Sequence, residues 1–101
     1  MKRALTQAWR YGVRVRFADL GDWGRDELRS EYDPCLPEIR LNVRHAAALS
    51  ARELDEFVAL AVGHELYHHR EHIGEIGVLP RRGEREAAAS NYARTLWELP
   101  A

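Results

Sequence analysis

The segment His64–His68 reads H-E-x-x-H. In a helix, side chains at positions i and i+4 lie on one face, so the imidazoles of His64 and His68 can bind a single zinc ion. Glu65, beside them, is suited to take a proton from a water molecule that the metal activates. The alternative interpretation of this segment is a histidine-rich helix face that is exposed to solvent and binds no metal. We predict one Zn²⁺ per chain, with Glu65 as the catalytic base.

A catalytic zinc ion needs a third protein ligand and an open position for water. A third histidine six residues after the second is excluded, since position 74 is glycine. His72 lies two helical turns beyond His64, about 12 Å along the axis, which is too far to share the ion. The remaining candidates are Glu84 and Glu86, at the start of the next predicted helix. Either carboxylate could instead stabilise the N-terminus of that helix.

With these residues the chain resembles the ImmA/IrrE family of small bacterial and phage zinc metallopeptidases, which are gluzincins. The resemblance covers about residues 5–100 and is carried by the segments YGVRVRFADL, EIRLNVR, AVGHELYHHREH and EREAAASNYARTLW. It implies a minimal zincin-like domain in which His64 and His68 bind zinc. It also implies that Glu65 is the catalytic glutamate and that Glu86 is the third zinc ligand.

The resemblance has further implications and two departures. The family's frequent extra histidine falls on His72. Tyr67 stands where the family commonly has glycine, and Ser90 stands where an aspartate often supports a zinc-bound histidine. Members of the family cut helix-turn-helix repressors in phage, mobile-element or stress-response circuits. The implied function is a zinc-dependent endopeptidase whose protein substrate is a separate transcriptional repressor.

Helical geometry also favours Glu86 over Glu84 as the ligand. The two side chains are about 200° apart around a helix, so they cannot face the same metal ion. Glu86 shares its face with small and apolar residues that we expect to pack on the preceding helix, whereas Glu84 belongs to a mixed face. The first face comprises Ala89, Ala93 and Trp97, and the second Ala88, Asn91 and Thr95.

A zinc-binding regulatory module without catalytic activity is the competing functional class. The small size of the chain and the serine at position 90 favour this alternative. Glu65 argues against it, because a structural zinc site requires no general base. A structural protein without metal is a third possibility, and it would require all three ligand positions to be coincidental.

The elements expected to position these residues form an α+β fold in a single domain, residues 1–101. Residues 2–11 have helical spacing and Gly12 follows as a stop. Three short strands are predicted next, and antiparallel pairing is the simplest arrangement for them. The predicted strands cover residues 13–17, 27–33 and 38–43.

Two helices are predicted after the strands. Ser50 and Glu53 form a capping box, which opens a helix expected to run to about His72. A final helix should begin near Glu84 and end near Pro100. Because residues 38–43 lie closest in sequence to the H-E-x-x-H helix, we expect them to form the sheet edge along which a peptide substrate aligns.

Composition excludes several functional classes. The chain has 101 residues, 46% hydrophobic and 31% charged, with a formal net charge of −1. This balance argues against direct nucleic-acid binding through a broad basic surface. No apolar run approaches the roughly 18 residues of a membrane span. Cys35 is the one cysteine, which excludes an internal disulfide and suits a cytoplasmic protein.

The remaining candidate residues have simpler expected roles. Cys35 is expected to be a buried thiol or to lie in a turn, and His45 and His69 are expected at the surface. Tyr67 and Tyr92 could place a phenol near a reaction oxyanion, although packing is the simpler expectation. Packing in the core or at its rim is also expected for Trp9, Trp23 and Trp97.

Overall fold

A computed structural model describes residues 1–21 and 29–98. The predicted α+β class is confirmed, with helices packed on a three-stranded sheet. In the part of the chain that is described, no helix is long and apolar enough to cross a membrane. The elements are α1 (Lys2–Arg10), β1 (Arg14–Ala18), β2 (Ser30–Asp33), β3 (Glu38–Asn42), α2 (Val43–Ala46), α3 (Ala51–His72) and α4 (Arg82–Glu98).

The long helix α3 begins and ends where the sequence predicts. The Ser50 hydroxyl accepts from the Glu53 N–H at 3.2 Å, and the Glu53 carboxylate accepts from the Ser50 N–H at 3.1 Å. This reciprocal pair satisfies two of the free N–H groups of the first turn. At the other end Gly74 has φ +75°, a conformation that stops a helix and that glycine adopts without strain.

The short helix α2 is absent from the prediction, in which a strand continues to residue 43. Asn42 ends β3, and its side-chain oxygen accepts from the Arg44 N–H at 3.1 Å. Asparagine is a favoured residue at this capping position because its oxygen satisfies a free N–H of the first turn. The cap therefore turns the chain from strand to helix one residue before the predicted end of the strand.

The sheet is mixed, so the prediction of an antiparallel sheet is wrong for one of its two pairings. The strand order is β1-β3-β2, with β2 antiparallel and β1 parallel to β3. Residues 38–43 were expected at an edge of the sheet, and this is also wrong because β3 is the central strand. Alternating apolar and polar residues show that a strand is half-buried, but they carry no information on strand direction or order.

One face of the sheet is charged and centred on Glu38. Its carboxylate accepts from the Arg16 Nε at 2.9 Å and from Arg40 Nη1, and only 4% of the residue is exposed. Hydrogen bonds from Arg40 and then Arg16 hold the pKa of Glu38 below its ordinary value, against an opposing effect of burial. The opposite face packs on α3, with Ile39 and Leu41 fully buried.

Helix α1 contacts α3 and β1 through its alanine side chains. Ala4 and Ala8 lie one turn apart and are buried in the core. The expected packing role of Trp9 is wrong, since 79% of this residue is exposed. Successive helical residues are about 100° apart, so the buried position of Ala8 turns Trp9 outward. Trp97 is half-buried against the core, and Trp23 lies outside the described residues.

Helices α3 and α4 are in close contact at Gly63. A Cβ atom added at Gly63 would lie 2.7 Å from the Ala93 Cα and 2.8 Å from the Ala93 Cβ. Separations this short do not occur between packed atoms, so any side chain at this position would force the helices apart. Ala89 and Ala93 are buried in the same contact, as their small size predicts.

Replacing Gly63 by alanine should therefore destabilise the protein. Overpacking costs about 1–3 kcal/mol, and this outweighs the gain of about 0.5–1 kcal/mol that alanine brings to a helix interior. Urea unfolding of the metal-free protein measures the change. Gly83→Ala in α4 is the matched control, because a Cβ there meets no atom within 4 Å and should not destabilise. Equal stability of the two variants would contradict the close contact.

Glu38→Gln should destabilise the protein at neutral pH and much less in acid. A carboxyl group whose pKa is lowered by folding stabilises the native state above its unfolded-state pKa. That contribution disappears as the pH falls through the lowered pKa of the folded state. Urea unfolding across a pH series should show the two proteins converging in acid, and Glu56→Gln at an exposed position of α3 should show no such convergence.

Candidate metal site

Helix α3 places the two histidines of the H-E-x-x-H segment on one face. His64 and His68 lie one turn apart, and their ring centroids are separated by 5.1 Å. Both side chains are partly exposed, at 25% for His64 and 17% for His68. The Nε2 atoms of both rings point toward α4, where they meet the same carboxylate.

That carboxylate belongs to Glu86, in the first half of α4. Its Oε2 lies 2.8 Å from the His64 Nε2, and its Oε1 lies 3.3 Å from the His68 Nε2. Glu84, the other candidate, is exposed and does not belong to this group. The structure thus brings together the three residues that helix geometry selects from the sequence.

The three side chains fit one metal ion. Their ligand atoms all lie within 4.8 Å of one another. Zinc bonds of about 2.0–2.1 Å in a tetrahedron place ligand atoms about 3.4 Å apart, so small side-chain rotations suffice. Two imidazole nitrogens and a carboxylate oxygen are a ligand set that zinc accepts, and Glu86 is half-exposed, which leaves a solvent-facing position.

Glu65 lies beside this group without belonging to it. Burial raises the pKa of its carboxyl group above the ordinary value, and the nearby charges of His64 and His68 oppose this effect. The Ser30 hydroxyl, at the start of β2, donates to the Glu65 Oε1 over 3.4 Å. A carboxylate with a raised pKa is a better proton acceptor near neutral pH than an ordinary glutamate.

The second ring nitrogens of the two histidines have unequal partners. Ser90, predicted from the resemblance to stand at a supporting position, has its Oγ 3.4 Å from the His64 Nδ1, which is a long hydrogen bond. The His68 Nδ1 lies 2.7 Å from the Glu71 Oε1. The sequence prediction does not include Glu71, although its spacing of three residues after His68 puts both on one helix face.

Glu71 is itself held by α4. The Arg85 Nε donates to the Glu71 Oε2 and its Nη2 to the Oε1, each at 3.1 Å. The hydrogen bonds from Arg85 are the main cause that lowers the pKa of Glu71, and the hydrogen bond with His68 lowers it further. Burial opposes both effects. The carboxylate therefore stays ionised although only 3% of the side chain is exposed.

The other histidine and tyrosine candidates lie at the margin of the group. His72 is exposed at the last residue of α3 and does not belong to the group. The Tyr67 ring packs edge-on against His68 and is also near Tyr92, with centroid separations of 5.9 and 6.1 Å. These contacts agree with a packing role for both tyrosines. Arg70 lies over the Tyr92 ring at 5.1 Å.

His69 is a correction to the sequence prediction. It was expected at the surface, but only 4% of it is exposed, and its Nδ1 lies 2.6 Å from the Tyr32 hydroxyl. The side chain points toward the sheet because it is one residue, or about 100°, from the metal-facing His68. His45 is half-buried against Phe57, and Cys35 is exposed in the turn between β2 and β3.

A cleft of about 660 Å³ opens onto His64 and Glu65. Apolar side chains of α3 line one part of the cleft, and polar side chains of β2 and α4 line another part. We call it the site cleft. It is lined by Arg29, Ser30, His45, Leu49, Glu53, Glu56, Phe57, Leu60, Ala61, His64, Glu65, Ser90, Ala93 and Arg94.

No protein-family model, no curated protein and no solved structure matches the chain. Inferences about function therefore depend on the chemistry of the residues described above.

Glu86→Gln should weaken zinc binding by orders of magnitude, because an amide oxygen is a much poorer zinc ligand than a carboxylate. Glu84→Gln should leave zinc affinity within a few-fold of wild type, since Glu84 is exposed outside the group. Competition titration with a chromogenic chelator measures both affinities. The reverse order of effects, or two equally small effects, would show that Glu86 is not a ligand.

Proposed function

We propose that this chain is a zinc-dependent peptidase with Glu65 as its general base. The observation that carries the proposal is the convergence of His64, His68 and Glu86 from two helices, beside a partly buried glutamate that is not a ligand. A structural zinc site usually has four protein ligands, whereas three ligands with an exposed fourth position are typical of catalytic sites.

When bound by the three ligands, zinc would polarise a peptide carbonyl and lower the pKa of a water molecule. Glu65 takes the proton of the attacking water on its carboxylate and later donates it to the leaving amine. The Ser30 hydroxyl makes a long hydrogen bond of 3.4 Å to one carboxylate oxygen of Glu65, and the other oxygen is available for the proton. Burial raises the pKa of Glu65, which favours the protonated form that holds the proton between the two transfers.

The surroundings of Glu65 also support a peptide as the substrate. Phe57, Leu60 and Ala61 give the site cleft an apolar wall that suits a substrate side chain. Strand β2 lies at the edge of the sheet and begins at Ser30, next to Glu65. An extended peptide that pairs with this edge would pass the site, so β2 replaces β3 in the substrate-binding role.

The resemblance to ImmA/IrrE peptidases suggests a more specific substrate. We propose a cytoplasmic helix-turn-helix repressor, encoded separately, as the protein that is cut. The alternative, a zinc-binding regulatory module, requires the same three ligands but gives Glu65 no chemical task. The two functions therefore differ in what the loss of the Glu65 carboxylate changes.

Glu65→Gln should retain zinc and lose hydrolysis. Removal of a general base typically lowers a rate by about 10²–10⁴-fold, while the affinity for zinc should change little because Glu65 is not a ligand. The measurements are zinc titration and cleavage of a fluorogenic peptide library and of helix-turn-helix repressors encoded near the gene. Glu84→Gln is the matched control and should retain both properties.

Two results would contradict the proposal. Loss of zinc in Glu65→Gln would show that Glu65 acts as a ligand. Zinc-loaded wild-type protein that cleaves none of the peptides or repressors would favour the zinc-binding module.

A further inference from the structure

Glu71 is a buried charged residue beside the candidate site, and the proposed reaction does not explain its burial. Glu71 is not one of the three candidate metal ligands and takes no part in the proposed proton transfers. Its side chain is nevertheless almost fully enclosed between α3 and α4. Burial of a carboxylate is unfavourable unless hydrogen bonds and a partner charge compensate for the lost water. Both Glu71 oxygens are engaged, by Arg85 and by His68.

The geometry points to Glu71 as a positioning residue that fixes the tautomer and the ring orientation of His68, with Arg85 holding Glu71 in place. This inference deepens the proposed function and rests on it. A ring nitrogen that binds a metal ion must offer a lone pair, and in a neutral imidazole this requires the proton to be on the other nitrogen.

The contacts of His68 select one tautomer. An ionised carboxylate can only accept hydrogen bonds, and His68 has a carboxylate at each ring nitrogen: Glu71 Oε1 lies 2.7 Å from Nδ1, and Glu86 Oε1 lies 3.3 Å from Nε2. The shorter contact favours the proton on Nδ1. The Nε2 lone pair then faces Glu86 and the proposed metal position. A carboxylate behind a metal-binding histidine also makes the ring a stronger ligand.

Arg85 holds the Glu71 carboxylate in this position through two hydrogen bonds. Its two hydrogen bonds occupy both Glu71 oxygens, which keeps the carboxylate ionised and prevents it from rotating toward the metal position. Arg85 directly precedes Glu86, and neighbouring helical residues point about 100° apart. One turn of α4 thus supplies both the ligand Glu86 and the cation that holds the support of His68.

Within the described part of the chain, His64 has no carboxylate partner equivalent to Glu71. Its Nδ1 meets the neutral Ser90 hydroxyl at 3.4 Å, which is longer than the contact between His68 and Glu71. A hydroxyl can donate or accept, so it does not select a tautomer. The fixed orientation of the histidine pair therefore depends mainly on Glu71.

The test uses a double variant and two measurements that do not require peptidase activity. Glu71→Met with Arg85→Met removes the carboxylate together with its partner charge, a replacement that buried ion pairs tolerate better than loss of one charge. Nitrogen-15 NMR of the histidine rings in metal-free protein, above the pH at which they titrate, reports the tautomer. Chelator competition gives the zinc affinity.

Wild-type His68 should carry its proton on Nδ1, and the double variant should populate the Nε2-protonated form. Its zinc affinity should fall by about 10–100-fold, the usual effect of losing a partner of this kind. Glu71→Gln keeps an acceptor oxygen and should retain the tautomer with a smaller loss of affinity. Glu75→Gln, which breaks the nearby pair with Arg70, is the matched control and should change neither measurement.

Two results would overturn the inference. One is a wild-type His68 protonated on Nε2; the other is a folded double variant that keeps the wild-type tautomer and zinc affinity. If the wild-type protein binds no zinc, the proposed function fails, and the tautomer measurement alone decides the role of Glu71.

Discussion

The close packing of α4 on α3 is the constraint on which the candidate site depends. The helices touch where Gly63 meets Ala93, and Gly63 directly precedes His64. A glutamate side chain reaches only a few ångströms from its helix, so Glu86 can meet both imidazoles only if the backbones are close. Small residues at this contact thus serve the site as well as the core, since they set the distance that the ligand must span.

The same packing gives two glutamates of α3 opposite properties. Glu65 is partly buried, and no arginine in residues 1–21 and 29–98 is among the groups that shift its pKa, so the cost of losing water raises that pKa. Glu71 is also enclosed, but two hydrogen bonds from Arg85 lower its pKa. A carboxylate that exchanges a proton and a carboxylate that stays charged are thereby placed one and a half turns apart, and the difference comes from α4 rather than from the residues themselves.

The sheet supports α3 from the other side. Its buried face packs on the helix through Ile39 and Leu41, while its outer face keeps Glu38 ionised between Arg16 and Arg40. The central position of β3 leaves β2 at an edge, and this brings Ser30 to Glu65. The sheet thus places the Ser30 hydroxyl beside the proposed base, whereas the proposed third ligand is supplied by α4.

Features that depend on near neighbours in the chain could be predicted from the amino-acid sequence. The capping box at Ser50 set the start of α3, and the H-E-x-x-H spacing put two histidines on one face. The face shared by Glu86 and the alanines of α4 pointed to the correct glutamate for the group. These predictions succeed because helical periodicity and capping are local properties, independent of the rest of the chain.

Packing between distant segments determines the strand directions, the central place of β3, the contact at Gly63 and the roles open to Glu71. Alternation along a strand is the same whichever way its neighbour runs. Spacing in α3 shows that Glu71 shares a face with His68, but not that Arg85 approaches it from α4. Those features depend on which segments, far apart in the chain, pack against each other. The sequence pattern of a single segment does not specify its packing partner.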